Sequence, residues 1–330
     1  MRDKLNVLAK AVISLVLVIW VFSRVDVAEV RQMLASANMW YLVLALGLYF
    51  GAIALNAVKW RVLLRAQGIY VPLRALLRYT FVGVFFNNFL PANVGGDVMR
   101  GYGLSRYTER LTDAAVSVIV DRVVGLIAYM SAAVVAAIIV VNTVENGRDM
   151  RTVEYAAFLA FFLIAGGFGV LLSRRLRALV GRAFQWRWLA PLAPIYGRMS
   201  DAFGAYRFRY KALSVAFLIA LGGLMLTNLV NWLLAESIGG GIPFLYICLF
   251  NPLIALVLLV PISIGGIGVN QNAYPFFFGL LGVPHGLALA VSLLMQALII
   301  ISGLPGGILW WQLRSIERAP AAPVIPEQAP

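Results

Sequence analysis

Six apolar runs dominate the chain, at about 5–22, 40–58, 114–141, 153–172, 212–235 and 287–311. At roughly 1.5 Å of rise per residue, each is long enough to cross the ~30 Å of hydrocarbon in a bilayer. Backbone inside lipid must satisfy its polar groups within helices or a closed barrel, and uninterrupted runs of this length select helices. The expected class is therefore an all-α polytopic membrane protein. Composition agrees: 62% of the 330 residues are hydrophobic and 12% charged, where soluble domains carry about 25% charged residues.

The 27 Lys and Arg outnumber the 14 Asp and Glu, but they lie between the apolar runs rather than on a soluble face. They point to membrane lipid of anionic or phosphate-bearing type, and not to nucleic acid. A single cysteine, Cys248, and a single histidine, His285, exclude a disulfide framework and a His/Cys metal cluster, and no cofactor is expected. Arg2, Lys4 and Lys10 ahead of the first run resemble a signal peptide, with Ala35-Ser36-Ala37 as a cleavage-like triplet. Arg24, Asp26, Glu29 and Arg31 separate the two, so the run is read as an uncleaved first span.

Two further apolar stretches, 79–90 and 244–260, run into breaks that resemble each other. Leu90-Pro91-Ala92-Asn93-Val94-Gly95-Gly96 and Val260-Pro261-Ile262-Ser263-Ile264-Gly265-Gly266 stand 170 positions apart. Proline ends the entering helix and the glycine pair permits reversal, while Asn93 and Ser263 can satisfy freed backbone groups. Helical segments follow at about 97–106 and 270–282, so each stretch reads as a re-entrant hairpin. The order around each motif is the same: two spans, a hairpin, one span. Three crossings per half invert the second half relative to the first, giving an inverted repeat whose two hairpin tips meet near the midplane around a substrate path. The repeats are 1–145 and 146–318, followed by a Pro-rich tail, 319–330, that cannot pack a core. Because 244–260 is about the minimum length for a crossing, an eight-span arrangement stays open.

With the N-terminus cytoplasmic, 22 Lys and Arg fall inside and four outside, Arg122 remaining within a span. Both termini are then cytoplasmic, and a bacterial inner membrane is the expected location. The basic segment 174–211 carries Leu176, Leu179, Phe184, Trp186 and Trp188 on an apolar face and reads as interfacial helices. It either anchors topology or gathers anionic headgroups.

Four charges sit where lipid would penalise them. Asp97 follows Gly96 at the start of a helix, as an N-cap or as part of an anion site, and Arg100 shares its face one turn on. Asp121 and Arg122 lie inside the span 114–141 and need partners. The candidates are Asp97 with Arg122, Arg100 with Asp121, or a lipid phosphate on either arginine, for which the planar guanidinium fork is suited. A purely structural ion-pair network is the other reading. Asn87, Asn88, Asn228, Asn231, Asn270, Gln271, Asn272, Ser292 and Gln296 line a cavity or bond helices together. No phosphate-loop, H-E-x-x-H or G-x-S-x-G motif occurs, so the chain is expected to be a transporter rather than an enzyme.

Asn88-Phe89-Leu90-Pro91-Ala92-Asn93-Val94-Gly95-Gly96-Asp97 with Arg100, then Asp121-Arg122-Val123-Val124-Gly125, and Pro261-Ile262-Ser263-Ile264-Gly265-Gly266-Ile267-Gly268 carry a resemblance. Over about 5–313 the chain resembles the transmembrane domain of lysylphosphatidylglycerol synthases, the flippase-like or UPF0104 family. The resemblance implies lipid translocation between leaflets. In bifunctional members a soluble C-terminal domain makes the aminoacylated lipid, and this chain is expected to be a stand-alone member without it. The leading expectation is a lipid translocase in which Arg100 and Arg122 attract a headgroup phosphate and Asp97 and Asp121 hold or switch them. The alternatives are a membrane enzyme or accessory subunit using Asp97 or Asp121 as a general base, and a lipid-binding scaffold for a partner lipid-modifying enzyme.

Overall fold

The structure is a computed structural model and describes residues 27–89, 95–143, 151–173, 175, 179, 200–258 and 266–317. Among them every regular element is a helix: α1 (Val27–Ala35), α2 (Met39–Ala66), α3 (Leu73–Phe89), α4 (Gly95–Thr108), α5 (Leu111–Thr143), α6 (Arg151–Leu172), α7 (Tyr210–Ser237), α8 (Phe244–Leu258), α9 (Val269–Gly279) and α10 (His285–Glu317). The expected first span 5–22, residues 174, 176–178 and 180–199 of the interfacial segment 174–211, the tail 319–330, and Pro91, Asn93, Pro261, Ser263 and Gly265 lie outside the described residues.

Helices α2, α5, α7 and α10 are long and apolar enough to cross a membrane. Their outer faces expose Leu44, Val135, Leu218 and Ile308, as a lipid solvent permits. Apolar α8 has 15 residues, about 22 Å of helix, which falls short of the hydrocarbon thickness. Arms α3, α4 and α9, at 17, 14 and 11 residues, are also short of a comfortable crossing.

The packing is reciprocal between the halves. Arm α3 packs on its partner arm α4 and on α10, the last helix of the other half, while α4 packs on α5. Arm α8 packs on α9 and on α5, again the last helix of the other half, while α9 packs on α10. Helices α2 and α7 share the most extensive helix pair.

Small residues make the close approaches possible, since lipid gives helices little hydrophobic drive and tight packing must supply it. A Cβ on Gly96 would collide with the Gly83 carbonyl and lie 2.5 Å from Asn87 Oδ1. The Gly96 N–H instead donates to that Oδ1 at 2.9 Å, tying the start of α4 to the end of α3. On the other side of α3, Gly306 of α10 sits against the Phe81 carbonyl and Asn88 Nδ2 donates to the Ile299 carbonyl at 3.2 Å. At the start of α9, Gly268 has φ +85°, a left-handed conformation open to glycine at no steric cost. Its N–H donates to Gln271 Oε1 at 2.6 Å, and Asn272 Nδ2 donates to its carbonyl at 2.6 Å.

Candidate functional site

Helices α2, α4 and α5 bring five charged side chains together. Asp121 is the hub, with 1% of its surface exposed. Arg100 Nη2 donates to its Oδ2 at 2.9 Å, and Lys59 Nζ stands 3.3 Å from its Oδ1 while donating to its backbone carbonyl at 3.1 Å. Asp97 at the start of α4 receives Arg100 Nη1 at 3.4 Å on Oδ1 and Arg122 Nη1 at 3.4 Å on Oδ2. Both carboxylate–guanidinium pairings considered from the sequence are therefore present at once, joined into a chain by Arg100.

The surroundings hold this geometry. The Arg100 guanidinium lies 4.4 Å over the ring of Trp60, a cation–π contact that strengthens as water is excluded. Trp60 is fully buried and donates from Nε1 to Ser117 Oγ at 3.2 Å. Gly125 leaves space for the ammonium of Lys59, since a Cβ there would lie 3.2 Å from Nζ. Outside the spanning helices, burial and the carboxylates of Asp121 and Asp113 push the Tyr206 phenol up.

These charges open onto a cavity of about 560 Å³. Its walls come from both halves: α2, α3, α4 and α5 on one side, α7, α8 and Gly266 on the other. Lys59, Arg100, Asp121 and Arg122 line it directly. Three basic side chains, Lys59, Arg100 and Arg122, stand beside two carboxylates, Asp97 and Asp121. Arg122 keeps 42% of its side chain exposed, and among the described residues Arg100 Nε is buried with no hydrogen-bond partner. Lipid makes such charge costly unless it is paired or useful.

The other sequence candidates separate by position. Gly266 lines the cavity. Asn88, Gly95, Gly96, Gly268 and Asn270 do not; the contacts of Asn88, Gly96 and Gly268 are helix packing and capping, and Asn270 is buried. Of the polar residues expected to line a cavity or bond helices, Asn228 and Asn231 bond across helices: Asn251 Nδ2 donates to Asn228 Oδ1 at 2.8 Å, and the Tyr274 hydroxyl donates to Asn231 Oδ1 at 2.6 Å; Gln271 and Asn272 bond to Gly268 at the start of their own helix. Lys59 was missing from the candidates. As the residue after a predicted span, it reads as a topology-setting charge, but α2 continues to Ala66 and buries it to 7% exposure. Tyr49, Asn56 and Lys59, spaced seven and three apart in an otherwise apolar run, form a polar stripe that signals a lined face.

The family model for the lysylphosphatidylglycerol synthase TM region matches residues 7–307. A UPF0104 membrane protein of Pyrococcus horikoshii is 22% identical, with 94% of this chain and 96% of the relative covered. Another, from Methanothermobacter thermautotrophicus, is 23% identical over 80% of this chain and 82% of the relative. With its apolar helices, the chain is an integral membrane protein, and it belongs to the lysylphosphatidylglycerol synthase transmembrane-region family, which includes UPF0104 proteins.

Proposed function

We propose that the protein is a lipid translocase that carries a phosphate-bearing headgroup between leaflets while the acyl chains stay in the bilayer. The observation that carries this reading is the cavity itself: a chamber of about 560 Å³ among spanning helices, with Lys59, Arg100, Asp121 and Arg122 on its wall. Arg122 is placed to meet a phosphate first, and the buried Arg100 supplies a further donor through Nε. Asp121 and Asp97 keep the cations in register when the chamber is empty, which avoids the several kcal/mol that an unpaired charge costs in lipid.

In this reading α3–α4 and α8–α9 are re-entrant hairpins of an inverted repeat. The reciprocal packing of each entering arm on the last helix of the opposite half supports it, as do the paired Pro/Gly breaks. Such an arrangement lets the halves rock against each other around a fixed site. No catalytic step is assigned to the chain, and a resident cofactor has no part in the mechanism. An inner-membrane location with cytoplasmic termini belongs to the same reading, through the distribution of Lys and Arg.

The test is leaflet exchange in proteoliposomes containing fluorescent phosphatidylglycerol, read by quenching with membrane-impermeant dithionite. Translocation exposes label from the inner leaflet, so quenching exceeds that of protein-free vesicles. Quenching limited to the outer leaflet, with folded protein in the membrane, would overturn the proposal.

A further inference from the structure

A chain of titratable groups leads to the charged site from one end of the molecule. Where α2 stops and α5 begins, Gln67, Thr112, Asp113, Asp201, Ala202 and Ala205 line a surface pocket of about 400 Å³. Exposed Arg65, Arg110 and Lys211 stand at this end, which the distribution of Lys and Arg assigns to the cytoplasm in the reading above. From the pocket, Asp113, Ser117 and Asp121 follow one another at four-residue steps, a polar stripe along one side of α5. The stripe is about 12 Å long and ends at the cavity wall.

Tyr206 stands between the two acids. It shares a buried cluster with Leu63, Val116 and Val120, none of its surface is exposed, and its hydroxyl feels the carboxylates of both Asp121 and Asp113. Among the described residues that hydroxyl has no hydrogen-bond partner, and neither has Asp121 Oδ1. Lys59 Nζ lies 3.3 Å from this Oδ1 but directs its hydrogen bond to the Asp121 backbone carbonyl. Unpaired polar atoms are costly inside a protein, and two of them at successive stations between a surface pocket and a buried lysine call for a role beyond packing.

Charge supplies that role. Arginine keeps its proton, whereas a buried lysine can hold one or release it, so Lys59 is the adjustable member of the buried group Arg100, Asp121 and Lys59. A phosphate arriving at Arg100 Nε adds negative charge where lipid excludes water, and a proton entering onto Lys59 cancels it. The surrounding charges are held elsewhere. Asp97 joins Arg100 to Arg122, the cavity residues of α3, α7 and α8 are uncharged, and Tyr49 and Tyr129 lie further along the wall. Arg151 and Glu154 of α6 stand at the opposite end of α5.

Resting on the translocase reading above, we infer that the protein co-transports one proton with each phosphate headgroup, delivered from the Asp113 pocket through Tyr206 and Asp121 to Lys59. Tyr206 gives its hydroxyl proton to Asp121 as it accepts another from Asp113, and Asp121 passes the proton to the Lys59 amine. The phenol, pushed up by burial and by both carboxylates, relays without ionising. Each relay group returns to its starting state. The net change is one proton on Lys59, released when the phosphate leaves to the opposite leaflet.

The experiment follows fluorescent phosphatidylglycerol in proteoliposomes under a pH gradient of about one unit. Potassium and valinomycin hold the membrane potential at zero, and dithionite reads the leaflet distribution. One proton per headgroup drives the labelled lipid toward the leaflet on the alkaline side, by up to about tenfold per pH unit. A distribution that ignores the gradient while exchange proceeds overturns the inference and leaves the translocase reading standing. No exchange at any pH overturns the translocase reading itself. Tyr206→Phe removes a hydroxyl that has no hydrogen bond to lose, so it should keep the wild-type unfolding midpoint yet redistribute the lipid at least about tenfold more slowly. Redistribution at the wild-type rate by this variant also overturns the inference. The wild-type distribution tests the coupling even if the variant fails to fold.

Discussion

The two halves of the molecule use polar groups in opposite ways. In the first, Lys59, Asp97, Arg100, Asp121 and Arg122 form a charged chain that opens onto the cavity. In the second, Asn228, Asn231, Asn251 and Tyr274 form a neutral network, each less than a tenth exposed and none on the cavity wall. Amides and a phenol can satisfy one another completely and disappear into the protein, where they fix how α7, α8 and α9 meet. Charges cannot vanish so cheaply in lipid, and in the proposed function this cluster, with three basic side chains beside two carboxylates, meets a ligand that brings negative charge.

The sharpest way to break this comparison is to ask whether the halves are inverted. Single cysteines replacing Ser105 at the end of α4 and Gly282 beyond α9, in a Cys248→Ala background, should label from opposite sides of the membrane. Labelling from the same side would end the inverted-repeat reading. Next in size is Asp121→Ala, which strands Lys59 and Arg100 as buried cations without their shared carboxylate. Breaking a buried pair costs about 3–5 kcal/mol, so thermal unfolding in detergent should fall sharply; an unchanged midpoint would show that Asp121 is not the hub.

Tyr274→Phe should have a smaller effect. It removes the donor to Asn231 Oδ1 and leaves a buried acceptor unpaired, at about 1–3 kcal/mol. The loss should appear in stability, while lipid exchange per folded protein stays at the wild-type rate. Arg122→Gln should change stability least, by about 0.5 kcal/mol or less, because its side chain is partly exposed and its 3.4 Å pair with Asp97 is not deeply buried. Here the cost should fall on exchange instead. A stability loss for Arg122→Gln as large as that for Asp121→Ala would place both residues in one structural lock.

Much of this was legible in the sequence, for identifiable reasons. Apolar runs longer than a bilayer core forced α2, α5, α7 and α10, and the positions of Pro91 and Pro261 in the sequence set α3 apart from α4 and α8 apart from α9. Asp121 and Arg122 stood out because a charge inside such a run has few innocent explanations. Lys59 was hidden at the predicted edge of a span, where lysines commonly reach back to water; only the continuation of α2 to Ala66 and its contact with Asp121 reveal it. The amides were ambiguous because an asparagine in an apolar run looks the same whether it faces a cavity or another asparagine. Three-dimensional pairing, such as Asn251 with Asn228 across α8 and α7, resolves that. Trp60 gave no signal of its role, since an aromatic residue beside a lysine reads as packing until Arg100 is seen lying over its ring.

The central claim, that the charged pole receives the lipid phosphate while the amide network only supports the fold, is tested most directly by leaflet exchange. Labelled phosphatidylglycerol would be followed with Arg122→Gln and Tyr274→Phe proteins reconstituted at equal folded content. Loss of a charge-assisted hydrogen bond predicts that Arg122→Gln slows exchange by about tenfold or more, with Tyr274→Phe at the wild-type rate. Wild-type exchange by Arg122→Gln would contradict the account.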